Sequence, residues 1–190
     1  MKPIEIKGLW DEGYCMDYHS ISSEYVGDDP YGNARFQTER TVLGQFMYEL
    51  KYKGNTLCID KMIDLIGPFL KKWLQSKNID VVLPVPPSKL DRYYQPVFGV
   101  SKAIADYLNV AYTSDVLYKN SRQQYKDINA KEKYDIENSI VLMKSAKREY
   151  NALIVDDIFE TGKTLNQVVE ALKRDPLLKK VYVVAITKRR

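Results

Sequence analysis

The sequence predicts an α/β protein in which a mostly parallel sheet is flanked by helices and preceded by a β-rich segment. Three observations carry that prediction. Short, continuously apolar runs, "DVVLPV" at 80–85, "NALIVDD" at 151–157 and "VYVVAIT" at 181–187, have the composition of strands buried on both faces. Amphipathic stretches separate them, so that the last part of the chain reads strand, loop, helix, strand. The first 40 residues instead place aromatic and β-branched residues in partial alternation.

Taken in order, "GYCMDYHSISSEYV" (13–26) reads as extended chain and "GDDPYGN" (27–33) as a turn-rich stretch. "ERTVLGQFMYELKYKG" then sets Val42, Leu43, Phe46, Met47 and Leu50 at helical spacing and stops at Gly54. "KMIDLIGPFLKKWLQSKN" (61–78) predicts a second helix or a helix pair, with Pro68 interrupting or restarting it. "FGVSKAIADYL" (98–108) is amphipathic. Leu165, Val168, Val169 and Leu172 recur at i, i+3, i+4 and i+7, which predicts a helix over 163–174 packed on the sheet. The polar stretch "YKNSRQQYKDINAKEKYD" (118–135) reads as a long loop or flap.

At 190 residues the chain is expected to form one core, with residues 1–40 as an N-terminal β-rich segment able to act as a hood and 41–190 as the core proper. The longest apolar runs fall far short of the ~20 residues that span a bilayer, and the polar start "MKPIEIKG" is unlike a signal peptide, so a soluble cytoplasmic protein is expected. Cys15 and Cys58 form no C-x-x-C pair and read as buried thiols rather than metal ligands. Net charge is +4, yet residues 1–50 carry four Lys/Arg against nine Asp/Glu, so the basic excess lies downstream. An anionic partner fits that distribution, whether a phosphate-bearing small molecule or nucleic acid.

The chemistry concentrates in "ALIVDDIFETGKTL" (152–165), where an apolar run ends on two carboxylates and then offers Thr-Gly-Lys-Thr. A nucleotide-hydrolase P-loop is excluded, because its leading glycine would stand at Asp157, where a carboxylate would repel the phosphates. A phosphorylatable receiver domain also has an acid pair, but on its first strand, whereas here only 33 residues follow Asp157. Carboxylates accept hydrogen bonds from vicinal hydroxyls, and a helix start donates amides to a phosphate monoester. A sugar phosphate requires both.

"LIVDDIFETGKT" resembles the phosphoribosyltransferase signature, an apolar strand, two acids and a Thr/Ser-Gly-x-Thr loop that binds 5-phosphoribosyl-1-pyrophosphate (PRPP). The resemblance implies the type I phosphoribosyltransferase fold and transfer of the phosphoribosyl group to a nitrogenous acceptor, a base or an amine, with Mg²⁺ as cofactor and release of pyrophosphate. It further implies that Asp156 and Asp157 hold the ribose hydroxyls and that Glu160, Thr161, Gly162, Lys163 and Thr164 hold the 5′-phosphate. Glu160 stands where purine-type members have an acid near the base nitrogen, and is either a proton acceptor or a solvated loop residue.

"LPVPPSKLDRYYQPVFGVSKAIADYL" and "YELKYKGN" extend the similarity to the ComF-like family, through Pro84-Val85-Pro86, Arg92, Gln95 and the Leu-Lys-Tyr-Lys-Gly helix end. By that resemblance Pro87, Ser88, Lys89 and Arg92 contact pyrophosphate, while Lys119, Arg122 and Lys126 belong to a flexible loop that closes over PRPP. Tyr93-Tyr94 replaces the family's Gly-Phe-Asn, and its four-cysteine zinc ribbon has no counterpart here. The alternative it carries is a non-catalytic PRPP- or nucleotide-binding module acting with partners in DNA uptake or processing. Homodimers are common in similar folds. His19, the one histidine, reads as structural or exposed, and Tyr93 and Tyr94 as packed or exposed unless they stack on a base.

Overall fold

A computed structural model describes residues 2–87, 94–119 and 140–189. The strands are β1 (Ile4–Glu5), β2 (Glu12–Tyr18), β3 (Ser20–Asp28), β4 (Ala34–Arg40), β5 (Val81–Pro84), β6 (Ala111–Tyr112), β7 (Leu117–Lys119), β8 (Ile140–Leu142), β9 (Tyr150–Phe159) and β10 (Leu178–Lys188). The helices are α1 (Val42–Lys53), α2 (Cys58–Leu74), α3 (Pro96–Leu108) and α4 (Lys163–Leu172). Six strands form one sheet in the order β1-β2-β10-β9-β5-β6. β10 runs parallel to β2 and β9, β5 runs parallel to β9 and β6, and the short β1 is antiparallel to β2.

Successive side chains of a strand point to opposite faces, and β9 uses both. Ala152 and Ile154 pack with Leu165, Val168, Val169 and Leu172 of α4, whereas Leu153 and Val155 pack with Leu43, Met62, Ile66 and Ile104 of α1–α3. Removing each of these large side chains from water contributes roughly 1.5–3 kcal/mol. The mostly parallel sheet between helices is the fold the apolar runs predict.

Three local outcomes differ in detail from the sequence reading. Pro68 neither breaks nor restarts α2, which runs through it. The residue before a proline is normally pushed out of the helical region by its own Cβ; Gly67 has none, and the Tyr107 ring of α3 fills the space. α4 ends at Leu172, two residues early, and the buried Asp175 then accepts from the amides of Ala146 and Leu177 to turn the chain into β10. Residues 1–40 divide at Tyr18: β1 and β2 belong to the central sheet, while β3 and β4 form a separate two-stranded ribbon.

That ribbon is fixed at its base. Thr41 caps α1, accepting from the Gly44 amide at 3.0 Å and donating to the Tyr18 carbonyl at 2.5 Å. Gly44 lies so near the His19 carbonyl that a Cβ there would come within 1.9 Å of the oxygen. α1 therefore rests directly on the junction between β2 and β3, and Gly54 closes it in a left-handed conformation at φ 65°.

Candidate active site

The parallel strands β2, β10, β9 and β5 end on one edge of the sheet, the edge at which open α/β folds bind ligands. There a cavity of about 350 Å³ is lined by Asp156, Asp157, the 160–164 loop, Val85–Pro87 and Lys51. β5 is held against β9 by the Val85 amide, which donates to the Val155 carbonyl at 2.9 Å. Thus the end of β5 and the acid pair share one cleft.

The acid pair is tied down from three directions. Lys51, in the last turn of α1, donates to Asp157 Oδ2 at 3.1 Å from 106 residues away. The Thr187 hydroxyl, fully buried, donates to the Asp157 carbonyl at 3.1 Å. Asp156 Oδ1 accepts the Asp157 amide at 2.8 Å. Burial pushes the Asp156 carboxyl up to about 8, and the neighbouring Asp157 charge adds to the rise.

His19 stands behind this arrangement. Its Nδ1 lies 3.1 Å from Thr187 Oγ1. The one hydroxyl proton of Thr187 goes to the Asp157 carbonyl, so Nδ1 is the donor to Thr187 and Nε2 carries the lone pair when the ring is neutral. Burial lowers the His19 pKa, and the cations Arg40, Lys51 and Arg189 lower it further against a weaker opposing pull from Asp157. Thr187 and His19 thus brace the site from behind.

The loop is built differently. Gly162 occupies the left-handed region at φ 78° as the N-cap of α4, and a Cβ there would meet the Phe159 ring at 3.2 Å. Thr161 and Lys163 are exposed, and Thr161 Oγ1 accepts the Lys163 amide over a long 3.4 Å. The first amides of α4 have no partner within the helix, which makes its start an acceptor-seeking surface. Glu160 is exposed and pairs with Arg189 at 2.8 Å on the rim of the cleft. Trp10 buttresses the loop from beneath, its indole N–H donating to the Ile6 carbonyl at 3.0 Å.

Of the residues singled out in the sequence, the structure brings together Pro87, Asp156, Asp157, Glu160, Thr161, Gly162, Lys163 and Thr164 around the cavity. Lys119 sits half-buried at the end of β7, beside a second cavity that shares Pro86 and Pro87. Burial lowers its pKa, and the charge of Asp156 opposes that drop. Ser88, Lys89, Arg92, Tyr93, Arg122 and Lys126 lie outside the described residues. Tyr94 packs against the core, its hydroxyl filling the space beside Gly99. Cys15 and Cys58 are free and buried. Lys51, within "YELKYKGN", and Thr187 carry no local sequence signal for the site and join it only through the fold.

Among the described residues no cluster of three or more His, Cys, Asp or Glu could hold a metal ion, and no helix is long and apolar enough to cross a membrane. No protein-family model and no curated protein matches the chain. Solved structures do. An adenine phosphoribosyltransferase is similar at TM-score 0.50, with 15% identity over 88% of this chain and 86% of that one. The adenine phosphoribosyltransferase of Saccharomyces cerevisiae, complexed with an imino-altritol bisphosphate and adenine, has TM-score 0.49 and 14% identity over 86% of this chain and 84% of that one. The enzyme from Giardia lamblia, complexed with 9-deazaadenine, has TM-score 0.48 and 13% identity over 87% and 81%. The first of these likenesses shows that the fold is the type I phosphoribosyltransferase fold; at such identities fold is all it shows.

Proposed function

We propose that the protein is a phosphoribosyltransferase that binds PRPP with Mg²⁺ and passes the phosphoribosyl group to a nitrogenous acceptor. The observation that supports it most is the sharing of one cleft by a half-buried acid pair, a left-handed glycine opening a helix, and the end of β5. Asp156 and Asp157 hold the ribose 2′- and 3′-hydroxyls, in surroundings where each hydrogen bond is electrostatically stronger than in water. Thr161, Thr164 and the α4 amides hold the 5′-phosphate, with Gly162 admitting it close to the backbone. By the resemblance, Pro87, Ser88, Lys89 and Arg92 would contact pyrophosphate and Lys119, Arg122 and Lys126 would belong to the flexible loop; of these, Pro87 and Lys119 lie within the described residues.

The donor chemistry fits Mg²⁺, a hard cation that takes carboxylate and phosphate oxygens. Asp156 and Asp157 would be the protein's share, with the remaining oxygens supplied by PRPP. When bound, the metal neutralises charge on the leaving pyrophosphate. The chain's own part is to orient the ribose, exclude water, and let the acceptor approach. As the C1–O bond breaks, pyrophosphate leaves with the electron pair, and the lone pair of the acceptor nitrogen forms the new bond to C1. A proton carried by that nitrogen passes to a carboxylate within reach; Glu160, ion-paired with Arg189, stands on the rim.

Calorimetric titration with PRPP and Mg²⁺ tests the reading, with Asp156→Asn/Asp157→Asn as the control. Saturable binding that the control loses supports the sugar-phosphate site, and pyrophosphate release with some acceptor supports transfer. Binding without release for any base or amine leaves a PRPP-binding module of the ComF-like kind. No binding by the folded wild type sinks both.

A further inference from the structure

The β3–β4 ribbon leaves most of its side chains in water, among them the large apolar groups of Ile21, Tyr25, Val26 and Phe36. Yet it is firmly built. At its tip the Asp29 carboxylate accepts from the Tyr31 and Asn33 amides at 2.9 Å each, and at its base Thr41 bonds to the Tyr18 carbonyl. Between them the Tyr25 and Phe36 rings meet edge to face at 5.8 Å, and the Ser23 and Thr38 hydroxyls lie 3.0 Å apart across the strands. A two-stranded hairpin is marginal in water by itself, whereas three or more strands sharing an apolar face are stable.

Its two edges are not alike. Ser20 pairs with Arg40 and Ser22 with Glu39, so β3 gains one residue over β4 there. Tyr25 pairs with Phe36 and Asp28 with Ala34, so β3 gains another. Bulges of this kind bend and twist an edge away from further pairing. β4 carries no extra residue, contains no lysine, proline or glycine, and has no strand on its outer edge among the described residues.

That edge, "ARFQTER" at 34–40, complements itself when reversed about Gln37. Laid antiparallel on a second β4, Arg35 stands opposite the partner's Glu39, and Glu39 opposite the partner's Arg35. Both side chains are exposed, and neither has an ion-pair partner among the described residues. Moving the axis to Phe36 or Thr38 loses both pairs, and the same operation on β3 about its central Glu24 sets two carboxylates face to face. On the other face of β4, Phe36 stands opposite the partner's Thr38 and diagonal to the partner's Phe36, a spacing that aromatic rings bridge.

We propose that the β4 edge is the contact surface between two copies of this chain, which pair antiparallel about Gln37 into one four-stranded, twofold-symmetric sheet. The exposed Tyr25–Phe36 pairs of both copies then share one face of that sheet. No residue of the strand-end cleft takes part, so the inference stands or falls separately from the transferase reading.

Sedimentation equilibrium of the full chain across the micromolar range should show a monomer–dimer equilibrium. Arg35→Glu and Glu39→Arg each set like charges opposite one another twice, and each should weaken the dimer by about tenfold or more. Arg35→Glu/Glu39→Arg in one chain restores both pairs and should return the affinity to within about threefold of the wild type. At the axis, opposite Cα atoms of an antiparallel pair lie about 4.5–5.5 Å apart, within reach of a disulfide. Gln37→Cys should therefore form a covalent dimer under mild oxidation while Tyr31→Cys, at the exposed tip, does not; the native Cys15 and Cys58 are buried. A monomer throughout, larger assemblies, single reversals without effect, a double reversal that fails to restore pairing, or cross-linking at Tyr31→Cys in place of Gln37→Cys overturns the proposal. The wild-type sedimentation and the Gln37→Cys cross-link decide it even if a charge-reversed chain fails to fold.

Discussion

The acid pair and the loop that follows it are separated by three residues, yet they are held by opposite means. Asp156 and Asp157 are half-buried and cross-linked to distant parts of the chain, through Lys51 in α1 and Thr187 in β10. The Thr161–Thr164 stretch exposes Thr161 and Lys163, and its shape comes from one left-handed glycine and the start of a helix. The first device is electrostatic and is placed by tertiary structure; the second is conformational and is placed by its own backbone. Substitutions should therefore separate them, one set changing ionisation and binding with the fold intact, the other changing the fold locally.

The largest effect is expected at the pair. Asp156→Asn/Asp157→Asn should weaken PRPP binding by about tenfold or more, by loss of the charge-assisted acceptor Asp157, worth roughly 1.5–3 kcal/mol, together with the Asp156 carboxyl beside it; calorimetry reads it, and a loss under threefold would break the contrast drawn here. At the loop, Gly162→Ala should cost about 1–2 kcal/mol of stability, since a Cβ in the left-handed region is strained and this one also crowds Phe159. Urea unfolding measures that, and an unchanged midpoint would mean that the loop is not fixed by its backbone.

The pH dependence sharpens the comparison further. The Asp156 carboxyl is raised in the folded protein to about 8, so folding holds a proton that the unfolded chain releases in the ordinary carboxyl range. Its contribution to stability is fully present below that range and is lost as pH rises through about 8. The melting temperature should accordingly decline across this window in the wild type and decline less in Asp156→Asn. Lys51→Met removes the cation beside the pair and should move the proton release to still higher pH, whereas Lys51→Arg should not. The smallest effect is expected at Glu160→Gln, which breaks an exposed ion pair with Arg189 and should change stability by less than about 0.5 kcal/mol.

What could be read from the sequence follows the same division. The buried strands β5, β9 and β10 are continuous apolar runs, and α1, α3 and α4 show their period, so burial itself wrote them into the chain. β1, β6, β7 and β8 are two or three residues long, too short for any period to register. The placement of β2 beside β10 depends on pairing across most of the chain, which no local pattern encodes. In the site, Asp156 to Thr164 form one contiguous motif and are visible as such. Lys51 and the His19–Thr187 contact come from sequence separations of 106 and 168 residues, and only the fold joins them.

Trp10 gives this molecule a reporter of its own. The indole is 7% exposed, and a side chain at Gly162 would meet it at 3.7 Å, so its excited state senses the packing directly beneath the 161–164 loop. The other tryptophan, Trp73, lies in α2 among Phe69, Tyr14 and Tyr182, with its N–H on Glu12. Replacing Trp73 by Phe would leave Trp10 as the one tryptophan, seated under the loop, and its emission, excited selectively beyond the tyrosine absorption, would follow the seating of a phosphate there without any added label.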